Sequence, residues 1–130
     1  MWSNASNYEY NNASHSGGAI MSFDESNATV TSSTFANNIA AYGGSVYVGV
    51  SSSMWSNSCI YENNTATDTG GAIYVFSSSS VSSNACIYQY NTATDSGGAF
   101  YVYDKSNATV GSSVLALHNA ATYGGAVHVW

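Results

Sequence analysis

Apolar and polar residues alternate in short bursts along this chain, and the bursts recur at a fixed distance. Residues 19–23 read AIMSF, 45–49 SVYVG, 72–76 AIYVF, 99–103 AFYVY and 126–130 AVHVW. Alternation with period two in Val-, Ile-, Tyr- and Phe-rich runs predicts β-strands. No helical period of any length is present. Ile20, Val46, Ile73, Phe100 and Val127 form one apolar column, and Ser22, Val48, Val75, Val102 and Val129 the next. Both are expected to point inward. Met21, Tyr47, Tyr74, Tyr101 and His128 lie between them and are expected to face out, because strand side chains alternate.

Punctuation sets the repeat. Ten of the 12 glycines fall in pairs: Gly17-Gly18, Gly43-Gly44, Gly70-Gly71, Gly97-Gly98 and Gly124-Gly125. The pairs are spaced by 26, 27, 27 and 27 residues. Such periods mark solenoids, propellers or arrays, and a propeller blade needs about 40 residues. Before each pair stands an aromatic-x-x-Asn-x-Ala motif: Tyr8, Asn11 and Ala13; Phe35, Asn38 and Ala40; Tyr61, Asn64 and Ala66; Tyr88, Asn91 and Ala93. The fifth copy, Leu115, His118 and Ala120, departs at two positions. The expected fold is all-β, a right-handed parallel β-helix solenoid of about five rungs of 26–27 residues. One segment then spans residues 1–130, with rungs near 1–26, 27–52, 53–79, 80–106 and 107–130.

Each repeated residue has a physical role in that fold. A tight corner needs positive φ, which glycine adopts freely, and a missing side chain lets neighbouring coils approach. In-register stacking at about 4.8 Å builds side-chain ladders. Tyr47, Tyr74 and Tyr101 form an outward aromatic ladder. Asn11, Asn38, Asn64 and Asn91 form an amide ladder, which His118 is expected to end.

Composition narrows the function. Charged residues make up 6% of the chain, with one Lys and no Arg, and the net charge is −6. Ordinary domains carry roughly 25% charge. Nucleic-acid binding needs cations to displace phosphate counterions, and Lys105 alone cannot supply them. A polybasic membrane patch fails for the same reason, and no apolar run is long enough to span a bilayer. The polar surface is Ser, Thr and Asn, which suits an extracellular or cell-surface setting. No secretory leader is read at the start. Met1–Asn4 (MWSN) recurs as Met54–Asn57, so Met1 reads as a repeat position within something longer.

The motifs resemble the repeats of chlamydial-type polymorphic outer-membrane proteins, whose signatures are Phe-x-x-Asn and Gly-Gly-Ala-(Ile/Leu/Val). FANN at 35–38 matches the first, and GGAI at 17–20 and 70–73 and GGAV at 124–127 match the second. The resemblance implies a surface-exposed β-helical passenger and a part in adhesion. Tyr replaces the signature Phe in three rungs and Leu in one, and no membrane barrel is read here.

Candidate chemistry is sparse. Cys59 and Cys86 are 27 residues apart in one column, where other rungs hold Ser6, Ser33 and Ser113. Stacked strands place their Cα atoms within disulfide range, so the alternatives are an inter-rung staple or two stacked thiols. Five Asn-x-Ser/Thr sequons start at Asn4, Asn12, Asn27, Asn63 and Asn107; Asn27 and Asn107 open identical NATV stretches and are the leading glycosylation candidates. Asp68 and Asp95 stack two residues before the glycine pair. They are a candidate for a shared cation such as Ca²⁺, against the simpler reading of solvated corner carboxylates, and no other cofactor is implied. Glu9 and Glu62 share another column. His15, His118 and His128 fall in different columns and form no triad.

The expectation is therefore a non-enzymatic structural module of an extracellular or cell-surface fibre, stalk or filament, with adhesion and glycosylation as further expectations. Its partners are copies of itself or adjoining rungs stacked end to end, with a surface receptor or glycan as a further partner. The alternative is a carbohydrate-binding or carbohydrate-active β-helix. Against catalysis, Arg is absent, Lys105 is isolated, and Asp24, Glu25 and Asp104 lie on distant rungs rather than across a groove. A minor alternative is ice binding through Thr65, Thr67, Thr92 and Thr94, which cover two rungs.

Overall fold

A computed structural model describes residues 1–112 and 114–130, and of 114–117 the backbone only. Among the described residues there is no helix, and the strands stack in parallel as a β-solenoid of about five turns. Each turn crosses four faces. The first sheet holds Trp2–Asn4, Asn27–Thr31, Ser53–Asn57, Ser80–Asn84 and Asn107–Gly111. The second holds Asn7–Glu9, Thr34–Ala36, Ile60–Glu62, Ile87–Gln89 and Val114–Leu117. The third holds Ile39–Tyr42, Thr65–Thr69 and Thr92–Ala93, prolonged by single bridges at Asn12 and Ala120. The fourth holds Ile20–Phe23, Val46–Gly49, Ile73–Phe76, Phe100–Val102 and Val127–Val129.

Register follows the repeat. Ile20 pairs with Val46, Val46 with Ile73, Ile73 with Phe100 and Phe100 with Val127. These side chains point inward with Val48, Val75 and Val102, joined by Met54 and Val81 from the first sheet and Phe35, Tyr61 and Tyr88 from the second. Val127 and Val129 continue the columns but are 38% and 70% exposed, because no described rung stacks beyond them.

Four corners separate the faces, and every one passes through the left-handed region, with φ between 46° and 70°. Only one corner is glycine. The first is taken by Ala5, Ser32, Ser58, Ala85 and Ser112, and the second by Tyr10, Asn37, Asn63, Tyr90 and His118. The fourth uses two consecutive residues: Asp24-Glu25, Val50-Ser51, Ser77-Ser78 and Asp104-Lys105. A non-glycine residue there costs of order 1–3 kcal/mol, tolerated where the surroundings over-determine the backbone. Inter-rung hydrogen bonds do so: Ser51 N donates to Ser77 O, and Ser78 N to Asp104 O, each at 2.9 Å. The glycine corner differs by crowding. A Cβ on Gly43 would lie 2.0 Å from Val46 O, and one on Gly44 2.2 Å from Gly71 O.

The last rung keeps the glycine spacing, with Gly98 N donating to Gly124 O, but departs locally from the 27-residue register. Ile87 pairs with Val114 but Gln89 with Leu117, so one extra residue enters the second strand. It leaves again before Ser96 pairs with Tyr123. Thr92, not Ala93, is therefore opposite Ala120. Ser113 and the Leu115 side chain, read above as members of columns, lie outside what is described.

Candidate functional site

The interior is a set of ladders running from rung to rung. In the amide ladder, Asn38 Nδ2 donates to Asn64 Oδ1, and Asn64 Nδ2 to Asn91 Oδ1, both at 3.0 Å. Asn11 makes the same bond to Asn38 at 2.9 Å. Each Oδ1 also accepts the backbone N–H of the preceding Asn. The second amide hydrogen reaches a carbonyl of the preceding rung: Tyr8 O for Asn38, Phe35 O for Asn64 and Tyr61 O for Asn91. Contrary to the expectation that His118 ends this ladder, Asn119 continues it, its Oδ1 3.0 Å from Asn91 Nδ2. The extra residue in the last rung moves Asn119 into the column and sends His118 to the left-handed corner, where it stacks on Tyr90 at 5.2 Å.

Beside it runs an aromatic stack inside the core. Tyr8, Phe35, Tyr61 and Tyr88 lie ring over ring at 4.6–4.7 Å. Each Tyr hydroxyl meets a serine five residues earlier: Tyr8 with Ser3 at 2.7 Å, Tyr61 with Ser56 at 2.8 Å and Tyr88 with Ser83 at 2.7 Å. Phe35 has no hydroxyl, and Val30 stands where the serine would be. This pairing is visible in the sequence as Ser-x₄-Tyr against Val-x₄-Phe, but column counting alone does not single it out. Burial pushes the Tyr61 and Tyr88 phenols well above their ordinary range.

A serine ladder at the fourth corner was also unforeseen. Ser52, Ser79 and Ser106 each accept the backbone N–H of the serine one rung before, at 3.0–3.2 Å. Cys59 and Cys86 belong to its counterpart at the first corner. There Ser6 N donates to Ser33 Oγ at 3.1 Å, and Cys59 N to Cys86 Sγ at 3.3 Å. Both cysteines are buried thiols, not joined in a disulfide. A side-chain bond between the two thiols, then burial, pushes the Cys59 thiol up, and that side-chain bond holds Cys86 down.

Tyr47, Tyr74 and Tyr101 stack outside the core at 5.2–5.3 Å, and His128 extends the row. They are less open than the alternation implies: Tyr47 is 9% exposed. Its ring lies over Gly49, where a Cβ would sit 2.5 Å from Cε1, while Tyr42 and Phe76 tilt against Tyr74.

The charged candidates are dispersed. Asp95 N donates to Asp68 O, which places the two carboxylates in adjacent rungs. Ser96 Oγ donates to Asp95, and the bond to Asp68 holds the Tyr42 phenol above its ordinary range. Among the described residues no three His, Cys, Asp or Glu side chains converge on one point. Glu9 and Glu62 are separated by Ala36, and Glu62 accepts from Gln89 at 2.8 Å. His15 contacts Ser16 and Tyr42. Thr65 pairs with Thr92, but Ile39 and Ala120 flank them, so this threonine rank is two rungs deep. Asn4, Asn12, Asn27, Asn63 and Asn107 are all exposed.

The outer face of the first sheet carries a concavity. A shallow groove of about 340 Å³ runs over it between Asn27, Thr29, Ser53, Trp55, Ser80 and Asn107.

Residues 62–75 match the model of the Chlamydia polymorphic membrane protein repeat. They include Asn64 of the amide ladder, the Gly70-Gly71 corner and the strand that starts at Ile73, so the chain carries a repeat of that type. No curated protein matches the chain, and no solved structure does.

Proposed function

We propose that this chain is a non-enzymatic structural module of an extracellular or cell-surface fibre, stalk or filament. The observation that carries the reading is the continuity of its ladders. The amides donate in one direction from Asn11 to Asn119, and beside them the aromatic stack runs from Tyr8 to Tyr88 and the serine corner from Ser26 to Ser106. Such a chain adds stiffness rung by rung, since each repeat contacts only its neighbours. The polymorphic-membrane-protein-type repeat at residues 62–75 supports a place at an outer membrane or cell surface.

Partners in this reading are adjoining rungs or further copies of the chain, stacked on the strand edges of the terminal rungs. Adhesion is proposed from the resemblance, and glycosylation from the exposure of the five sequon asparagines, Asn27 and Asn107 foremost. Electron microscopy of the native material tests the proposal. Rods or filaments whose axial repeat equals the strand spacing of about 4.8 Å are expected; discrete globules in the native material would overturn it. Protease treatment of intact cells tests the location, since a surface module is shaved off and an internal protein is spared.

A further inference from the structure

We propose that the outer face of the first sheet binds a neutral, extended β-1,4-linked glycan lying along the solenoid axis. The inference does not rest on the fibre reading, since a single unpolymerised chain presents the whole face.

The face is built from one residue class. Every outward side chain on its five strands is an amide, a hydroxyl or an indole, apart from Gly111. Asn27, Ser53, Ser80 and Asn107 form one polar rank, and Asn4, Thr31, Asn57 and Asn84 another. Within the ranks the side chains hold one another in place: Ser53 donates to Asn27, Thr31 to Asn4 at 2.7 Å, and Asn84 to Asn57 at 3.0 Å. Such groups offer both donors and acceptors, as sugar hydroxyls require.

Between the ranks runs the column Trp2, Thr29, Trp55, Ser82 and Thr109. Trp2 is 73% exposed and Trp55 57% exposed. Both leave large apolar ring area in water on an otherwise polar sheet. An indole is the usual platform for the C–H face of a pyranose, because it buries apolar area at small entropic loss. The two indoles stand two rungs apart, about 9.6 Å from the strand spacing, with small Thr29 between them. A β-1,4-linked chain turns over at each linkage, so every second sugar presents the same face. Platforms on alternate rungs match that alternation.

Charge selects the class. No ionisable residue lines the groove, and the chain carries −6 overall. An acidic polysaccharide would meet no cation here and would be repelled at long range. The Tyr47, Tyr74 and Tyr101 row is a poorer platform, since its rings cover one another.

The test is titration of the unglycosylated 130-residue chain with the β-1,4-linked hexamers of glucose and of N-acetylglucosamine, followed by tryptophan fluorescence and calorimetry, with polygalacturonate as the acidic comparison. A neutral hexamer is expected to bind and shift the tryptophan emission. Trp55→Ala is expected to weaken binding about tenfold or more, the equivalent of one good contact, while Tyr10→Asn, at an exposed corner off this face, leaves it unchanged. Thr109→Trp places a third platform two rungs beyond Trp55 and is expected to tighten the hexamer several-fold but not the dimer. Absence of hexamer binding, equal binding of polygalacturonate, or unchanged binding by Trp55→Ala with no gain from Thr109→Trp would each overturn the proposal. None of these results bears on whether the native material forms rods.

Discussion

Asn64 and Asn91 lie in adjacent rungs with Nδ2 of the first 3.0 Å from Oδ1 of the second, and both side chains are fully buried. The bond belongs to a relay in which each amide serves its predecessor twice. Replacing Asn64 by Ala would strip the Asn38 backbone N–H and Nδ2 of their acceptor and leave Phe35 O without its donor. Each orphaned buried group costs about 1–3 kcal/mol. The expected loss for Asn64→Ala is about 3–5 kcal/mol, read as a lower urea midpoint at unchanged slope. Asn11→Ala, at a part-exposed rung, is expected to lose less than half of that.

The Tyr61–Ser56 pair should behave as a unit. Ser56→Val leaves a wholly buried phenol hydroxyl without a partner, at about 1–3 kcal/mol. Tyr61→Phe alone is milder, because the Ser56 hydroxyl keeps a contact with Cys86 Sγ at 3.4 Å. The double variant recreates the Val30–Phe35 pairing one rung earlier and should recover most of the loss. A double-mutant cycle by urea denaturation checks this; additive losses would show that the pairing carries no coupling.

Stability should fall in strong alkali. Burial raises the Tyr61 and Tyr88 phenols above the unfolded value of about 10. The folded state therefore holds protons that the unfolded chain releases. Their contribution is fully present below pH about 10 and declines above it, by at most about 1.4 kcal/mol per pH unit for each tyrosine. Urea midpoints measured from neutral pH to pH 12 should be flat and then drop, and Tyr61→Phe should shallow the drop.

Val50 is a β-branched residue at φ 55°, where such a side chain is a genuine outlier. Asn37 and Asn63 occupy comparable backbone at the second corner. Val50→Asn should therefore stabilise the chain by about 1 kcal/mol, or a rise of roughly 3–5 °C in Tm by calorimetry.

Cys86 acts in its column as an acceptor for the Cys59 N–H, the part that Ser33 plays for Ser6. Cys86→Ser should shift stability by less than about 1 kcal/mol. The inter-rung staple is a separate proposal. A diazene oxidant that removes both thiol hydrogens should join the pair, with a mass loss of two hydrogens, and closing the 27-residue step should add about 3 kcal/mol. No change of mass, or a fall in the urea midpoint, would count against it.

Much of this architecture was legible beforehand. The glycine pairs set the rung length, because the close approach of Gly44 to Gly71 O admits no side chain. Alternation set which columns are interior, because strand geometry offers two faces. The asparagine column was legible for the same reason. The relay's last member was not: the 27-residue spacing points to His118, and the extra residue in the final strand puts Asn119 in the column through register.

What the sequence determined by itself is the repeat, and with it the fold, the columns and the absence of cationic chemistry. What only the tertiary structure decided is how each column is used. The pairing of Tyr61 with Ser56, the serine corners and the left-handed Val50 arise from contacts between faces and between rungs. So does the difference between Tyr47, folded over Gly49, and Trp55, open on a polar sheet. Both residues alternate outward in their strands; burial depends on the neighbouring corner and rung, which a one-dimensional period does not contain.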